Sequence, residues 1–538
     1  MRTFACLLVV ALLFYVTENR SWAVATEREP LIINVDNSHF ALTRQAEEMD
    51  VAHLEAFVDQ YAGGKVTHLF LNTNAQRASF RSKTREAVWD PVPGVAEETL
   101  HENWKKNRNW AHHWKILHDQ GIDPYEVMIR RCRRKNISPW ISMRMNDIHN
   151  INEPQHYYHS EFWRSNPQFR IDPQYTGNDW GPYALDYAHP EVRQYQMAFI
   201  EELLERYDAD GIELDWLRFT NHLKNKKEDA CFIDDFVAEV RQRVDDWSRK
   251  RGRKIQVAVR VPSHPDASDS VGLKAVHWAK QGWIDIIIAA TFFGTTDFDV
   301  RFDLWRERLG EDAAKRILLI GGADCMTSAY PGAKHVLMDI PTLYGFADNM
   351  HYRGADGIYL FNWFDRDPHR VPMSDSVYRE MLDGGLEEET TRKKERRYLV
   401  GFLNVGVPNG IQHPQETGQP VTIQILMGTT PGESGTASLV LAFEKRDGLE
   451  TATFSASLNG KDLGSSVEEK SLEKLGGSPA RAIRFSCPLD SLRSGENEML
   501  LRQTAGEKQR LVWSELRVIP STRAEEVYRQ SGESPHVN

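Results

Sequence analysis

The chain has 538 residues, more than one ordinary domain and enough for a large barrel with a smaller module beside it. Charged residues make up 27% and aromatics 10%, with 15 Trp, which is a globular composition. A formal net charge of -11 argues against nucleic acid or an anionic membrane surface as a general partner.

Residues 1–25 read as a secretory signal peptide. Arg2 precedes the apolar run FACLLVVALLFYV, and the polar stretch after it closes on Ala23-Val24-Ala25, a small-x-small cleavage pattern. The run is shorter than the ~20 apolar residues a spanning helix needs. The expectation is therefore a secreted or periplasmic protein with no membrane association after cleavage. Cys6 would leave with the signal. Cys132, Cys231, Cys325 and Cys487 lack any CxxC or metal spacing and are expected as buried thiols or a single bridge.

From 26 to 385, short apolar runs alternate with amphipathic helical stretches. The expected strands are LIINVDN (31–37), VTHLFLNTN (66–74), ISPWISMRMND (137–147), ADGIELDW (209–216), KIQVAVRV (254–261), IDIIIAATF (284–292), RILLIGGAD (316–324) and ADGIYLFNW (355–363). PEVRQYQMAFIEELLERY (190–207) and DDFVAEVRQRVDDWSRKRG (234–252) are two of the helices between them. Eight successive βα units predict an α/β fold, a closed (β/α)8 TIM barrel. An open doubly wound sheet is the rival, but no GxGxxG follows the first strand. Two long insertions, 75–123 and 147–189, follow strands two and three and so fall on the face where such barrels carry their sites. The second holds Tyr157, Tyr158, Phe162, Trp163, Trp180, Tyr183 and Tyr187, able either to stack on sugar rings or to pack the loop onto the barrel.

After the charged segment LEEETTRKKERR (386–397), residues 398–520 read as short strands between Gly, Asn and Pro turns. They predict an all-β, jelly-roll-like sandwich. Residues 521–538 read as a loose polar tail.

The chemistry centres on YDADGIELDWLRF (207–219). Side chains at i and i+2 of a strand share a face, so Glu213 and Asp215 point one way and Ile212 and Leu214 the other. With the aliphatic pair toward the helices, both acids face the barrel interior, Asp215 at the C-terminal rim and Glu213 a layer deeper. Two inward carboxyls repel and are desolvated, which raises one pKa unless cations or donors compensate. Other polar groups converge on the same mouth: Asp36, Asn37, Asn74, Arg144, Asn146, Arg260 and Asn362, with Trp216 and Trp363 as aromatic members of the substrate-binding set. Asn34, Asn72, Asp147, Arg218 and Asp365 stand at the same strand ends. This mixture, without a Gly-rich phosphate loop, suits hydroxyl-rich ligands better than nucleotides, and no cofactor is expected. Arg144 and Arg260 serve either as ion-pair partners of the inward acids or as ligands for a carboxylate or sulfate on the substrate.

Glycosidic hydrolysis needs two carboxyl groups, roughly 5–5.5 Å apart in retaining enzymes and about 6.5–9.5 Å in inverting ones. Asp215 is the expected nucleophile. Glu213, Asp324 and Asp297 remain open as its catalytic partner. His149, His156 and His159 share one loop with HxxH spacing, a weak metal pattern without helical context, and no metal site is expected.

The run DYAHPEVRQYQMAFIEELLERYDADGIELDW, Asp186 to Trp216, resembles the family-10-like bacterial glycosyl-hydrolase barrels. They share its HPEVR-type helix start, its helix-to-strand junction and its acidic strand end. In the amylase pattern an Arg lies two residues before the strand-four Asp, where this chain has Glu213. The clan with Asn-Glu on strand four and Glu on strand seven is not matched either, since RILLIGGADC lacks Glu. LNGKDLG and LRSGENEMLLR resemble strand pairs of the β-sandwiches beside such barrels. The resemblance implies an exported glycoside hydrolase acting on a polysaccharide or oligosaccharide. A barrel that binds glycans without catalysis and a metal-dependent hydrolase are the rival expectations.

Overall fold

The computed structural model describes residues 28–367, 371, 373–406, 410–432 and 435–521. The signal-peptide expectation and nearly all of the C-terminal tail lie outside them. Eight parallel strands close a barrel: β1 (Leu31–Val35), β2 (His68–Asn72), β3 (Ser138–Arg144), β4 (Gly211–Asp215), β5 (Gln256–Pro262), β6 (Ile286–Ala290), β7 (Leu318–Asp324) and β8 (Gly357–Phe361). The ring runs β1-β8-β7-β6-β5-β4-β3-β2, so the closed barrel expected from eight βα units is the fold observed. Each strand lies within the run expected for it, except that β5 extends one residue further, to Pro262.

The strands alternate as a barrel requires. Ile32, Phe70, Trp140, Ala258, Ile288, Ile320, Tyr359 and Phe361 fill the interior, with Phe70 stacked on Trp140 at 4.6 Å. Gly211 opens β4 because the Trp140 ring occupies its space: a Cβ there would lie 2.4 Å from the indole. Ile212 and Leu214 point outward into the larger core shared with the helices, so Glu213 and Asp215 face inward. The helix before β4, Pro190–Arg206, starts with Pro at its first turn, where the missing N–H costs nothing. The helix after it, Ala230–Arg251, carries Arg249, Lys250 and Arg251 in its last turn and stops at Gly252, whose φ of +67° suits glycine.

The insertion after β2 folds back over the mouth and carries two helices, Glu97–Lys106 and Trp110–Asp119. The insertion after β3 is mostly irregular, with one short α-helix, Glu161–Ser165, and two single-turn 3-10 helices, Pro167–Phe169 and Gly181–Tyr183. Among the described residues no helix is long and apolar enough to cross a membrane. Cys132, Cys231 and Cys487 are free thiols; Cys132, Cys325 and Cys487 are buried and Cys231 is exposed.

The C-terminal part is two antiparallel sheets. The larger contains β9 (Arg396–Leu399), β11 (Thr436–Glu444), β13 (Ser478–Cys487) and β15 (Arg510–Ile519). The smaller contains β10 (Val421–Met427), β12 (Thr453–Leu458) and β14 (Gly495–Ala505). Leu439, Leu441 and Phe443 of β11 face the core between the sheets. Val440 and Ala442 face the other way, and with Ala482 and Trp513 they join the barrel's core. Burial on both faces explains why ASLVLAF reads as a continuous apolar run rather than an alternating one.

The charged segment 386–397 holds the helix Glu388–Arg392 and the start of β9. Its Arg396 is buried and donates through Nη1 to Asp348 Oδ1 at 3.3 Å. Asp348 belongs to the barrel helix Ile340–Tyr352. Its Oδ2 accepts from the Tyr398 hydroxyl at 2.6 Å and the Thr429 N–H at 2.7 Å. One buried carboxylate thus ties the barrel to both sheets. Asp348→Ala leaves the Arg396 charge buried without its partner and is expected to cost about 3–5 kcal/mol in denaturant unfolding. Tyr398→Phe removes one hydrogen bond and is expected to cost about 1 kcal/mol.

Candidate active site

The barrel register sets Arg144, Asp215 and Arg260 side by side on β3, β4 and β5. Asp215 is 1% exposed. Its Oδ1 accepts from the Leu217 and Arg218 N–H groups, each at 3.1 Å, in the turn that ends the strand. Arg260 donates through Nε to Oδ1 at 3.0 Å and through Nη2 to Oδ2 at 3.3 Å. The same guanidinium lies 4.0 Å from the centroid of Phe361 on β8. Arg260 is therefore held between a carboxylate and an aromatic face, and it holds Asp215 in turn.

Glu213 sits one layer deeper and is fully buried. Asn34 donates to its Oε2 at a long 3.4 Å, and Oε1 has no hydrogen-bond partner among the described residues. Burial, and then the charge of Asp215, push its pKa up to about 7; Ser142, Arg260 and Tyr359 pull less strongly the other way. A buried carboxyl so poorly supplied with donors is most stable with its proton on. The two acids two residues apart are thereby set to different tasks.

Arg144 donates to Asp36 and, at 2.9 Å, to Asp147 Oδ2. Asp147 Oδ1 lies 2.8 Å from His149 Nδ1, and Arg218 Nη2 lies 2.6 Å from His149 Nε2. A guanidinium only donates, so Nε2 is the acceptor and Nδ1 carries the proton given to Asp147. His149 is the neutral imidazole, in keeping with a pKa that burial lowers. Arg144, Arg218 and Arg260 face Asp36, Asp147 and Asp215 in this buried set, and a protonated Glu213 leaves it balanced.

A cavity of about 280 Å³ opens above this network, lined among others by Asp36, Asn37, Arg108, Trp110, Arg144, His149, Tyr158 and Arg218. Asp36, Asn37 and Arg144 thus meet at the mouth as the sequence suggests. Arg144 and Arg260 are both taken up by carboxylates of the chain, which is the ion-pair role. Asn362 follows β8 with φ of +62° and is 1% exposed, and neither polar atom of its amide has a partner among the described residues. Left-handed backbone and an unsatisfied buried amide together mark a position kept for something other than stability.

Other residues expected at the mouth lie elsewhere. Trp216 follows Asp215 and so points outward, where it packs on Tyr187, Phe236 and Trp278. Trp363 is likewise buried in the core between strands and helices. Neither offers an open face for a sugar ring. The Asn74 amide bridges the Ala75 and Arg144 carbonyls, and the Asn146 amide bonds the backbone of Leu185 and Asn221. Both hold the inserted loops in place. Asp297 turns away from the mouth because the loop after β6 runs under the sandwich: it accepts from Ser263 Oγ at 2.6 Å and lines a cleft with Leu399, Gln424 and Glu496. Burial raises its pKa there. Asp324 ends β7 with the parity of the interior Ile320 and is in register with Phe361, the ring beneath Arg260. It is therefore on the mouth side, across the barrel from Asp215.

Of the aromatics in 147–189, Tyr157, Trp163 and Tyr187 are buried as packing, while Tyr158 and Trp180 are half-buried, Tyr158 in the cavity wall. His159 directs its ring nitrogens at the carbonyls of Pro154 and His149. The described residues include no group of three or more His, Cys, Asp or Glu side chains arranged to hold a metal ion. Lys106, Arg108 and Trp110 were not singled out from sequence, although KKNRNW in an insertion on the mouth face carried the signal: clustered base beside an aromatic.

The family model described as "Glycosyl hydrolase-like 10" matches residues 96–264, the span that holds β3, β4 and β5 and so Arg144, Glu213, Asp215 and Arg260. The resemblance seen in residues 186–216 falls inside that match. An "S-layer-related protein" of Niallia circulans is 27% identical over 17% of this chain and 8% of its own length. Among solved structures, the PgaB (BpsB) glycoside hydrolase domain from Bordetella bronchiseptica is 12% identical, over 62% of this chain and 94% of that one, with a TM-score of 0.36. A GH36 α-galactosidase from Geobacillus stearothermophilus is 10% identical, over 90% of this chain and 56% of that one, with a TM-score of 0.36. The chitinase ChiW of Paenibacillus is 11% identical, over 89% and 56%, with a TM-score of 0.37. The chain spans 8% of the curated relative and 56% of the two larger solved chains.

The raised pKa of Glu213 has a definite sign. The folded protein binds this proton more tightly than the unfolded chain, so the contribution is present in full below the ordinary glutamate range. It is lost as pH rises through about 7. Glu213→Gln keeps the shape without the titration. Its thermal midpoint is expected to match wild type near pH 4 and to exceed it above pH 7, by stability on the order of 3 kcal/mol.

Proposed function

We propose that the protein is an exported glycoside hydrolase acting on a polysaccharide or oligosaccharide, with Asp215 as nucleophile and Asp324 as proton donor. The observation that carries this reading is the pair of inward carboxyls on β4, one fastened to Arg260 and the other pushed toward its protonated form. A structural ion pair needs only the first.

Asp215 Oδ2 is the oxygen for attack, since a single 3.3 Å bond from Arg260 holds it while Oδ1 takes three. In the first step Oδ2 bonds to the anomeric carbon as the glycosidic C–O bond breaks. The leaving oxygen takes the Asp324 proton. Water then adds at the same carbon, returns a proton to Asp324 and frees Asp215. Glu213, fully buried below, acts as a positioning residue by keeping a second negative charge away from Asp215. Asp297, turned away from the mouth toward Ser263 and the sandwich, does not share in this. Export is carried by residues 1–25 alone.

A second reading, glycan binding without turnover, draws support from the 1% exposure of Asp215. The Asp215→Asn variant separates the two, because an amide keeps an oxygen for the Leu217, Arg218 and Arg260 donors while losing the charge. Release of reducing ends across a panel of polysaccharides is expected to fall at least about a thousandfold with the fold intact by circular dichroism. Near-normal release by the variant would sink the nucleophile assignment. Binding by wild type with no product from any glycan would favour the second reading.

A further inference from the structure

The mouth cavity has a charge pattern at odds with the rest of the chain. The protein carries a formal net charge of -11, yet four cationic side chains, Lys106, Arg108, Arg144 and Arg218, line this cavity against one acid, Asp36. Arg144 is already spent on Asp36 and Asp147. Arg218 is not. It is 8% exposed, and its bond through Nη2 goes to the neutral His149 ring. Its Nε is buried with no partner among the described residues.

The direct bond of Arg218 goes to a neutral acceptor, while Asp147, Asp36 and Asp215 act on it only through space and Arg144 opposes them, so part of the cost of burying this guanidinium stays uncompensated. Its pKa is lowered to about 10, first by burial and then by the Arg144 charge, so it remains a cation at neutral pH. The rings of Phe219 and Phe293, 5.3 and 5.6 Å from its guanidinium carbon, keep it in place. At the rim, exposed Lys106 and Arg108 add positive charge, Arg108 sharing one 3.1 Å bond with Asp367. The same cavity also has apolar lining in Leu42, Trp110 and Tyr158, with Trp110 donating to the Tyr158 hydroxyl at 3.1 Å. A site with an incompletely paired guanidinium at its base, cations at its lip and aromatic side chains in its wall is built for a ring bearing an anion.

We propose that Arg218, Lys106 and Arg108 form a subsite for an acidic substituent, a carboxylate or a sulfate ester, on the saccharide that enters the mouth. The inference rests on the glycan reading of the site but not on turnover. Arg218 donates its own backbone N–H to Asp215 at 3.1 Å, so the anion is held next to the carboxylate proposed to react. The subsite selects acidic glycans by charge, and the ring that carries the anion packs against Tyr158. Arg144 and Arg260, the arginines that stand out in the sequence, are positioning residues for this arrangement and not its anion ligands.

The test is calorimetric titration at low ionic strength with D-glucuronate, inorganic sulfate and D-glucose, using the Asp215→Asn protein so that hydrolysis plays no part. Glucuronate, sulfate or both are expected to bind while glucose does not, and added salt is expected to weaken binding. Glucuronate alone identifies a uronic substituent and sulfate alone a sulfate ester. Arg218→Gln is expected to weaken binding about 10- to 100-fold. Lys106→Ala, an exposed change that leaves the fold alone, is expected to weaken it about threefold. Anions binding no better than glucose, or at unchanged affinity in both variants, would overturn the proposal. An Asp215→Asn enzyme that still turns over would remove the nucleophile assignment and leave this result standing.

Discussion

The bond on which the site depends is the buried pair between Asp215 and Arg260. It closes the turn after β4, because the same carboxylate oxygen takes the Leu217 and Arg218 N–H groups. It spans toward β8, because Arg260 rests on Phe361. It also sets the state of Glu213, since one charge already occupies the inward face of β4 and a second would stand fully desolvated beside it. An aliphatic residue at 260 would leave Asp215 with backbone donors alone.

From that pair the mouth is organised as two chains of charge. One is Asp215 with Arg260. The other runs Asp36, Arg144, Asp147, His149 and Arg218, alternating acceptor and donor until it ends at a guanidinium with a nitrogen to spare. Such networks are costly unless every member is satisfied, and the places where satisfaction fails are informative. Here they are Arg218 Nε, Glu213 Oε1 and the Asn362 amide. Arg218 lines the cavity at the mouth, Glu213 lies a layer beneath it, and Asn362 follows β8 at the same end of the barrel.

Much of this was legible from local pattern. The eight strands could be read because each is an apolar run of about the right length between helix-period segments. The inward aim of Glu213 and Asp215 could be read because strand parity is strict and Ile212 and Leu214 needed the helix side. The same parity, applied one residue further, would have turned Trp216 outward; it was grouped with the site because strand-end aromatics suit sugars. Asn74 and Asn146 were misjudged for another reason. An amide at a strand end can serve a ligand or a loop backbone equally well, and only the path of the inserted loop decides. Asp297 depends on how the loop after β6 meets a different domain, which no local pattern contains.

The sequence by itself determined the barrel, the two-sheet C-terminal part and the carboxyl pair on β4, because these follow from periodicities of two and 3.6 residues and from chain order. Tertiary structure alone decided which cation meets which acid. Arg144 and Arg260, which the sequence leaves open between ion pairing and anion binding, are paired. Arg218, three residues after Asp215, has its direct bond to the neutral ring of His149, 69 residues back in the chain. Ion pairing depends on distance and burial in three dimensions, and both are set by barrel closure and by the insertions folded over its mouth.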